Sequence, residues 1–205
     1  MKLGNYEFIR IKYFDESEKI QKALKIYKTN EEFFHLLSEE EGIGKEKIAT
    51  KTVIKDLESL PPNVSYDDKY YGILIDEEKE PVGVMDLIFG YPKKNTAYIG
   101  LFVIDKRLQR KSIGRKIFSI LEEKLADMDF YKIRLGVIKE NINGKLFWES
   151  MGFKKINEYS TYIVMEKQIK IEPEKFWSQV LLVYYPLAIE VQSFIPTSNK
   201  SSENS

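Results

Sequence analysis

Gln109 to Lys116 reads Gln-Arg-Lys-Ser-Ile-Gly-Arg-Lys, and it crowds four basic side chains, Arg110, Lys111, Arg115 and Lys116, into one short string. Before it, Thr96 to Ile104 is β-branched and aromatic. After it, Ile117, Leu121, Leu125 and Met128 recur at helical spacing, with Phe118 beside them. The cations therefore stand at the start of a predicted helix, where the helix dipole disfavours positive charge and unpaired N–H groups point outward. An anion at that end, most naturally a phosphate, reconciles the two. A solvated basic turn is the alternative.

The elements that must position this string alternate along the chain. Tyr6 to Tyr13 reads as a strand. Ser17 to Tyr27 reads as a helix, with Ile20, Ala23, Leu24 and Tyr27 on one face. Helices are also expected over Asn30 to Ser38 and Lys51 to Leu60, the latter stopped by Pro61 and Pro62. Tyr70 to Asp76 and Pro81 to Phe89 read as antiparallel strands across an acidic turn. Beyond the basic string come a strand from Tyr131 to Ile138 and a helix from Asn143 to Ser150, closed by Gly152 as a left-handed cap. Phe153 to Asn157 and Thr161 to Glu166 form a last hairpin. The order implies a mixed α/β (α+β) sheet with an anion-binding crossover.

Composition narrows the function. A chain of 205 residues, 43% hydrophobic, can bury a sizeable core as one domain with an appendage. Lys+Arg and Asp+Glu balance at 32 each, which argues against a general nucleic-acid or anionic-membrane binder. With no Cys there is no disulfide framework, thiol nucleophile or Cys-ligated zinc. The single His, His35, reads as an ordinary helix residue, so no metal site is expected. No signal peptide opens the chain and no apolar run reaches the roughly 20 residues of a membrane span, so a cytoplasmic location is expected. The Gly-x-Gly-x-x-Gly and Walker strings are both missing.

Leu101 to Phe153 resembles the core of the GNAT superfamily of acyl-CoA-dependent N-acyltransferases. That family places Gln/Arg-x-x-Gly-x-Gly/Ala between its fourth strand and third helix, and this chain offers Gln109-x-x-Ser112-x-Gly114. Downstream, Asn141 to Phe153 matches the family's Asn, small residue, aromatic pair and Gly-Phe. The resemblance extends over residues 5–168. It implies a central, mostly antiparallel twisted sheet with flanking helices and a splayed strand pair where coenzyme A binds.

What the resemblance implies can be weighed against physical need. Acetyl-CoA, the expected acyl donor, is polyanionic, and a ring of backbone amides from Arg110, Lys111, Ser112, Ile113, Gly114 and Arg115 suits its pyrophosphate. The side chains of Arg110, Lys111, Arg115 and Lys116 are available for its other phosphates, and Gln109 opens the motif. Ser112 replaces a family Gly and lacks its freedom at positive φ, so an altered loop geometry is expected. Phe102, Val103 and Ile104 stand where the family holds the pantetheine arm by backbone groups, and the Phe102 N–H would steady an oxyanion. Asn141 matches the Asn that bonds the cofactor arm, or it caps the helix after it.

Catalysis needs a neutral amine, and a free alkylamine has a pKa near ~10.4, so a base or water relay is required. Tyr98 stands where some members carry a glutamate, and a tyrosine is a poor base near neutral pH. Asp86, in the apolar run Val84 to Ile88, is the other candidate, since burying a carboxylate is costly without a partner or a role. A structural Asp is the alternative. Trp148 occupies the place of a Tyr that can protonate the departing thiolate. Indole is no usable acid, so Phe147 and Trp148 are expected to wall the cofactor.

The acceptor is a small-molecule or peptide amine. Glu39 to Glu41, Asp67 and Asp68, with Tyr66, Tyr70 and Tyr71, would suit a cation, although charge runs are more often solvated surface. Residues 169–195 form an apolar extension expected to pack on the domain or on a second copy as a homodimer, and 196–205 a disordered tail. Two function classes follow: an N-acetyltransferase working by direct attack in a ternary complex, or a GNAT-fold module that binds CoA or another ligand with little transfer. A weaker third is an anion-dependent partner-binding protein that never meets CoA.

Overall fold

The structure is a computed structural model that describes residues 1–40 and 47–169. Among the described residues eight strands form one sheet in the order β1-β2-β3-β4-β5-β6-β8-β7. These are β1 (Lys2–Leu3), β2 (Tyr6–Arg10), β3 (Lys69–Ile75), β4 (Pro81–Phe89), β5 (Thr96–Ile104), β6 (Lys132–Ile138), β7 (Lys154–Glu158) and β8 (Tyr162–Gln168). Every adjacent pair is antiparallel except β5 and β6, which are parallel. The mixed α/β architecture and mostly antiparallel sheet are as expected.

Helices cover both faces. On one lie α1 (Ser17–Thr29), α2 (Glu31–Glu40) and α3 (Thr50–Glu58). Their apolar stripes, including Ile20, Ala23, Leu24, Tyr27 and Val53, pack on Tyr71, Ile73, Val84, Leu101 and Val103. On the other lie α4 (Ile113–Asp127) and α5 (Ile142–Ser150). Ile117, Phe118, Leu121, Leu125 and Trp148 there meet Leu74, Met85, Leu87, Ala97, Ile133 and Leu135. Alternate residues of the central strands thus feed two separate cores, the pattern of a sheet covered on both faces.

The β5–β6 pairing is short. It runs from Thr96 opposite Lys132 to Ile99 opposite Leu135 and stops. Beyond it, β5 continues against β4 to Ile104, and β6 continues against β8 to Ile138. The next partners in step would be Gly100 and Gly136. Both are exposed, and the two strands part there as a fork. This is the splayed strand pair the sequence leads one to expect. A register shift between Asp86 and Leu87 marks where β4 follows β5 around that bend.

The first strand ends at Arg10 rather than Tyr13, and the two-residue β1 lies before it. Gly152 takes φ 88° after α5, the left-handed cap expected of it. Among the described residues no helix is long and apolar enough to cross a membrane. The domain runs through Ile169, which is buried in the α4–α5 core. The expected extension beyond that residue, its subunit contact and the terminal tail lie outside the described residues, as does Glu41 of the acidic run.

Candidate active site

The direction of the backbone groups in β5 follows from its register. The Asp105 N–H donates to Val82 O at 2.9 Å, and Phe102 stands opposite Met85. Antiparallel pairs alternate, so Val103 and Asp105 turn their N–H toward β4, whereas Phe102 and Ile104 turn theirs toward the β6 side. Past Ile99 that side is the open fork. The Phe102 N–H therefore faces the gap, while Val103 is committed to β4.

The carbonyl of Ile104 is already used. It accepts from Gln109 Nε2 at 2.9 Å and from Asn30 Nδ2 at 3.2 Å, and Gln109 Nε2 also donates to Asn30 Oδ1 at 2.8 Å. Asn30 is buried and donates as well to Ile26 O at the end of α1. Gln109 is thus the anchor that ties the basic loop to β5 and α1. Asp105 adds a second anchor. Its carboxylate accepts from the Arg107 backbone at 2.9 Å and from the Arg107 guanidinium, whose hydrogen bonds hold it below the usual carboxylate range.

Between this anchor and α4 the chain is bent into a concave run of amides. Arg110 and Ser112 have φ of 59° and 62°. Ser112, the residue just before α4, makes no side-chain cap bond to the first turn. Left-handed residues set among right-handed ones turn successive N–H groups inward, forming a nest suited to an anion. Ser112 itself takes the left-handed conformation that a glycine adopts freely, at a cost of about 1–2 kcal/mol. A β-carbon on Gly114 would stand 3.4 Å from Ile104 and 3.6 Å from Phe102, so the first turn of α4 packs close on the open half of β5. Ile113 is half-buried, and Arg110, Lys111, Arg115 and Lys116 are exposed. Arg115 turns away toward α5, donating to Ser150 Oγ at 2.9 Å, which leaves Arg110, Lys111 and Lys116 as the other exposed cations of this string.

Asn141 caps α5, its Oδ1 accepting from the Gly144 N–H at 2.9 Å, so the capping role holds. Phe147 is half-buried beside Phe102, with ring centroids 6.3 Å apart and nearly parallel planes. Trp148 is buried among Phe102, Phe118, Phe147 and Phe153, all with centroids within 5.7 Å of it.

Both candidate catalytic residues border the fork. Tyr98 faces the Gly136 backbone, with which its hydroxyl is hydrogen-bonded, and burial beside Tyr91 and Tyr162 pushes its pKa up to about 12. Asp86 lies on the α1–α3 face with Tyr71 and Leu101, its register partners. Its Oδ2 is only 2.6 Å from where a β-carbon on Gly100 would be. Lys69 Nζ donates to that oxygen at 2.8 Å and to Ser59 O at 2.7 Å. Burial pushes the Asp86 carboxyl up and Lys69 only partly pulls it back. The nest and Phe102 open on the α4–α5 side, and Asp86 on the other.

Sequence reasoning did not find Asn30, Lys69, Gly100 or Gly136. A glycine inside a β-branched run signals a bulge or a close approach, so the two glycines carried a usable signal. Asn30 and Lys69 act on residues far along the chain, which no local pattern discloses.

Residues 24–153 match the acetyltransferase (GNAT) family. The fold agrees: an acetyltransferase from Thermus thermophilus superposes with a TM-score of 0.57 over 82% of this chain and 99% of its own, at 23% identity. The PaiA N-acetyltransferase of Thermoplasma acidophilum, solved in complex with coenzyme A, superposes at 0.53 over 80% of this chain and 99% of its own, at 19% identity. Over 68 residues the chain is also 32% identical to N-alpha-acetyltransferase 30 of Dictyostelium discoideum, a stretch covering 33% of this chain and 37% of that protein. The chain belongs to the GNAT family of acetyltransferases.

Proposed function

We propose that this protein moves an acetyl group from acetyl-CoA to a primary amine of a small molecule or peptide, by direct attack in a ternary complex. One observation carries the reading: the Phe102 N–H faces the fork a few residues upstream of a nest shaped by Arg110 and Ser112. A donor with an amide-bearing arm and a pyrophosphate needs both features in that order. The nest amides, with Arg110, Lys111 and Lys116 beside them, would hold the phosphates. Phe102 and Ile104 would line the arm, and Phe147 would wall it. Trp148, buried behind Phe147, supports that wall.

In the reaction the amine nitrogen attacks the thioester carbonyl. A C–N bond forms, the C–S bond breaks and coenzyme A leaves as its thiolate. The Phe102 N–H is directed at the negative charge growing on the carbonyl oxygen. Asp86 takes the proton the amine loses. Tyr98, protonated at neutral pH, serves as a hydrogen-bond donor rather than a base. The indole of Trp148 supplies no proton, so the thiolate takes its proton from water. A peptide α-amine, with a pKa of about 7.7–8.0, asks less of the base than a lysine side chain, which agrees with the similarity to an N-alpha-acetyltransferase.

Trp148 in place of an acid favours a second reading, a module that binds CoA with little transfer. Thiol release from acetyl-CoA and from a longer acyl-CoA, across a panel of small amines and peptide α-amines, separates the two. Amine-dependent release is expected. Stabilisation by acetyl-CoA without such release would establish the binding module instead. If Asp86→Asn and Tyr98→Phe both left rate and pH profile unchanged, neither would hold its assigned role.

A further inference from the structure

Asp86 is half of a buried ion pair, and its two oxygens are treated differently. Oδ2 accepts from Lys69 Nζ, whose side chain is 3% exposed and whose second contact is the Ser59 carbonyl just after α3. Oδ1 is enclosed and has no hydrogen-bond partner among the described residues. An unsatisfied carboxylate oxygen is expensive in a protein interior, so Asp86 is held at a cost that packing alone does not explain. Oδ2, the oxygen held by Lys69, abuts Gly100, which is exposed where β5 leaves β6.

Lys69 reaches this position by register. Tyr71 is opposite Asp86 in the β3–β4 pair, so Lys69 lies two residues along on the same face. Ser59 holds the ammonium from the far side, so it addresses a single oxygen of the carboxylate.

We propose that Lys69 is the positioning residue for Asp86: it fixes Oδ2 beside Gly100 and sets a positive charge against the carboxylate, which takes the proton of the acceptor amine on the side of the exposed Gly100. The inference rests on the transferase reading. The other polar groups around Asp86 do not compete for this role. Tyr71 on β3 is bonded through its hydroxyl to Tyr27 on α1, and Tyr27 to Asp56 on α3. Both phenols are held neutral by burial. β5 presents the uncharged Gly100 and Leu101, and Tyr98 is engaged with Gly136.

The test is the pH dependence of kcat/KM, with one amine throughout, for the full-length wild type, Lys69→Met, Asp86→Asn and the double variant. A base must be deprotonated, so activity falls as pH falls through its pKa. Removing the cation should move that acid limb upward by about 1–3 pH units. Asp86→Asn should remove the limb, and adding Lys69→Met to it should cost little more. Lys69→Arg should restore the limb toward its wild-type position. A merely structural Lys69 would instead lower the rate at every pH with the limb unmoved, and its loss would multiply with that of Asp86; either result overturns the proposal. If Lys69→Met fails to fold, Lys69→Gln keeps a donor for Ser59 and removes only the charge, and the same two outcomes decide. A wild type without amine-dependent thiol release would instead sink the transferase reading, a different result from an active enzyme whose limb ignores Lys69.

Discussion

Asp86 and Gly100 fit one another through a missing atom: the carboxylate oxygen Oδ2 lies 2.6 Å from the place a β-carbon on Gly100 would take. Nothing larger than hydrogen leaves the carboxylate where it is. Gly100→Ala should therefore push Asp86 off Lys69 while leaving the nest on the other face intact. The expected result is a fall in amine-dependent turnover of at least about tenfold, the equivalent of 1.4 kcal/mol, with acetyl-CoA affinity near wild type. Steady-state kinetics beside calorimetric titration checks both halves.

Asn30 should matter for the donor rather than the acceptor. Its amide joins the end of α1, the Ile104 carbonyl and Gln109, and all three bonds are remote from Asp86 in function. Asn30→Ala leaves buried groups unpaired and should cost about 1–3 kcal/mol in denaturant unfolding. It should also weaken acetyl-CoA binding, because the loop bearing the nest loses its tie to β5. The KM for the amine should hold.

Ser112 carries strain that glycine would not. With φ at 62°, Ser112→Gly removes the left-handed penalty but loosens the unfolded chain. A net gain of about 0.5–1 kcal/mol is expected, with acetyl-CoA binding retained. Ser112→Val, β-branched and intolerant of positive φ, should lose both stability and binding. Chemical unfolding of the two variants separates conformation from hydroxyl chemistry.

Glu166 ties the closed end of the fork. Burial pushes its carboxyl up, but hydrogen bonds from Arg134 and Lys132, each with a 3.0 Å contact, outweigh this and hold it below its ordinary value. Arg134 is the register partner of both Tyr98 and Glu166. A depressed folded pKa means that the contribution is present above the unfolded value, about 4.3, and lost as pH falls through the folded one. Glu166→Gln should lower the unfolding temperature at neutral pH, and the gap to wild type should close in strong acid.

Much of this was readable in advance, for stated reasons. Helix α4 was marked by Ile117, Leu121 and Leu125 at helical spacing, and β4 by an apolar run broken only at Asp86, because local patterning reports what is buried. The nest was marked by cations placed where a helix start disfavours them. The partners of Asp86 and Gln109 were not legible, since Lys69 and Asn30 meet them only through sheet register and helix packing. The left-handed turn at Ser112 was not legible either, because its neighbours, not its own preference, decide its φ.

Among the described residues the fork gives the sheet two inner edges in addition to the outer ones at β1 and β7. An outer edge can recruit any passing strand, which is a hazard folded proteins must guard against. An inner edge is screened by the strands on either side of it. The opening between Gly100 and Gly136 thus works as a caliper: it offers peptide-like hydrogen bonding only to a guest as thin as a single extended chain.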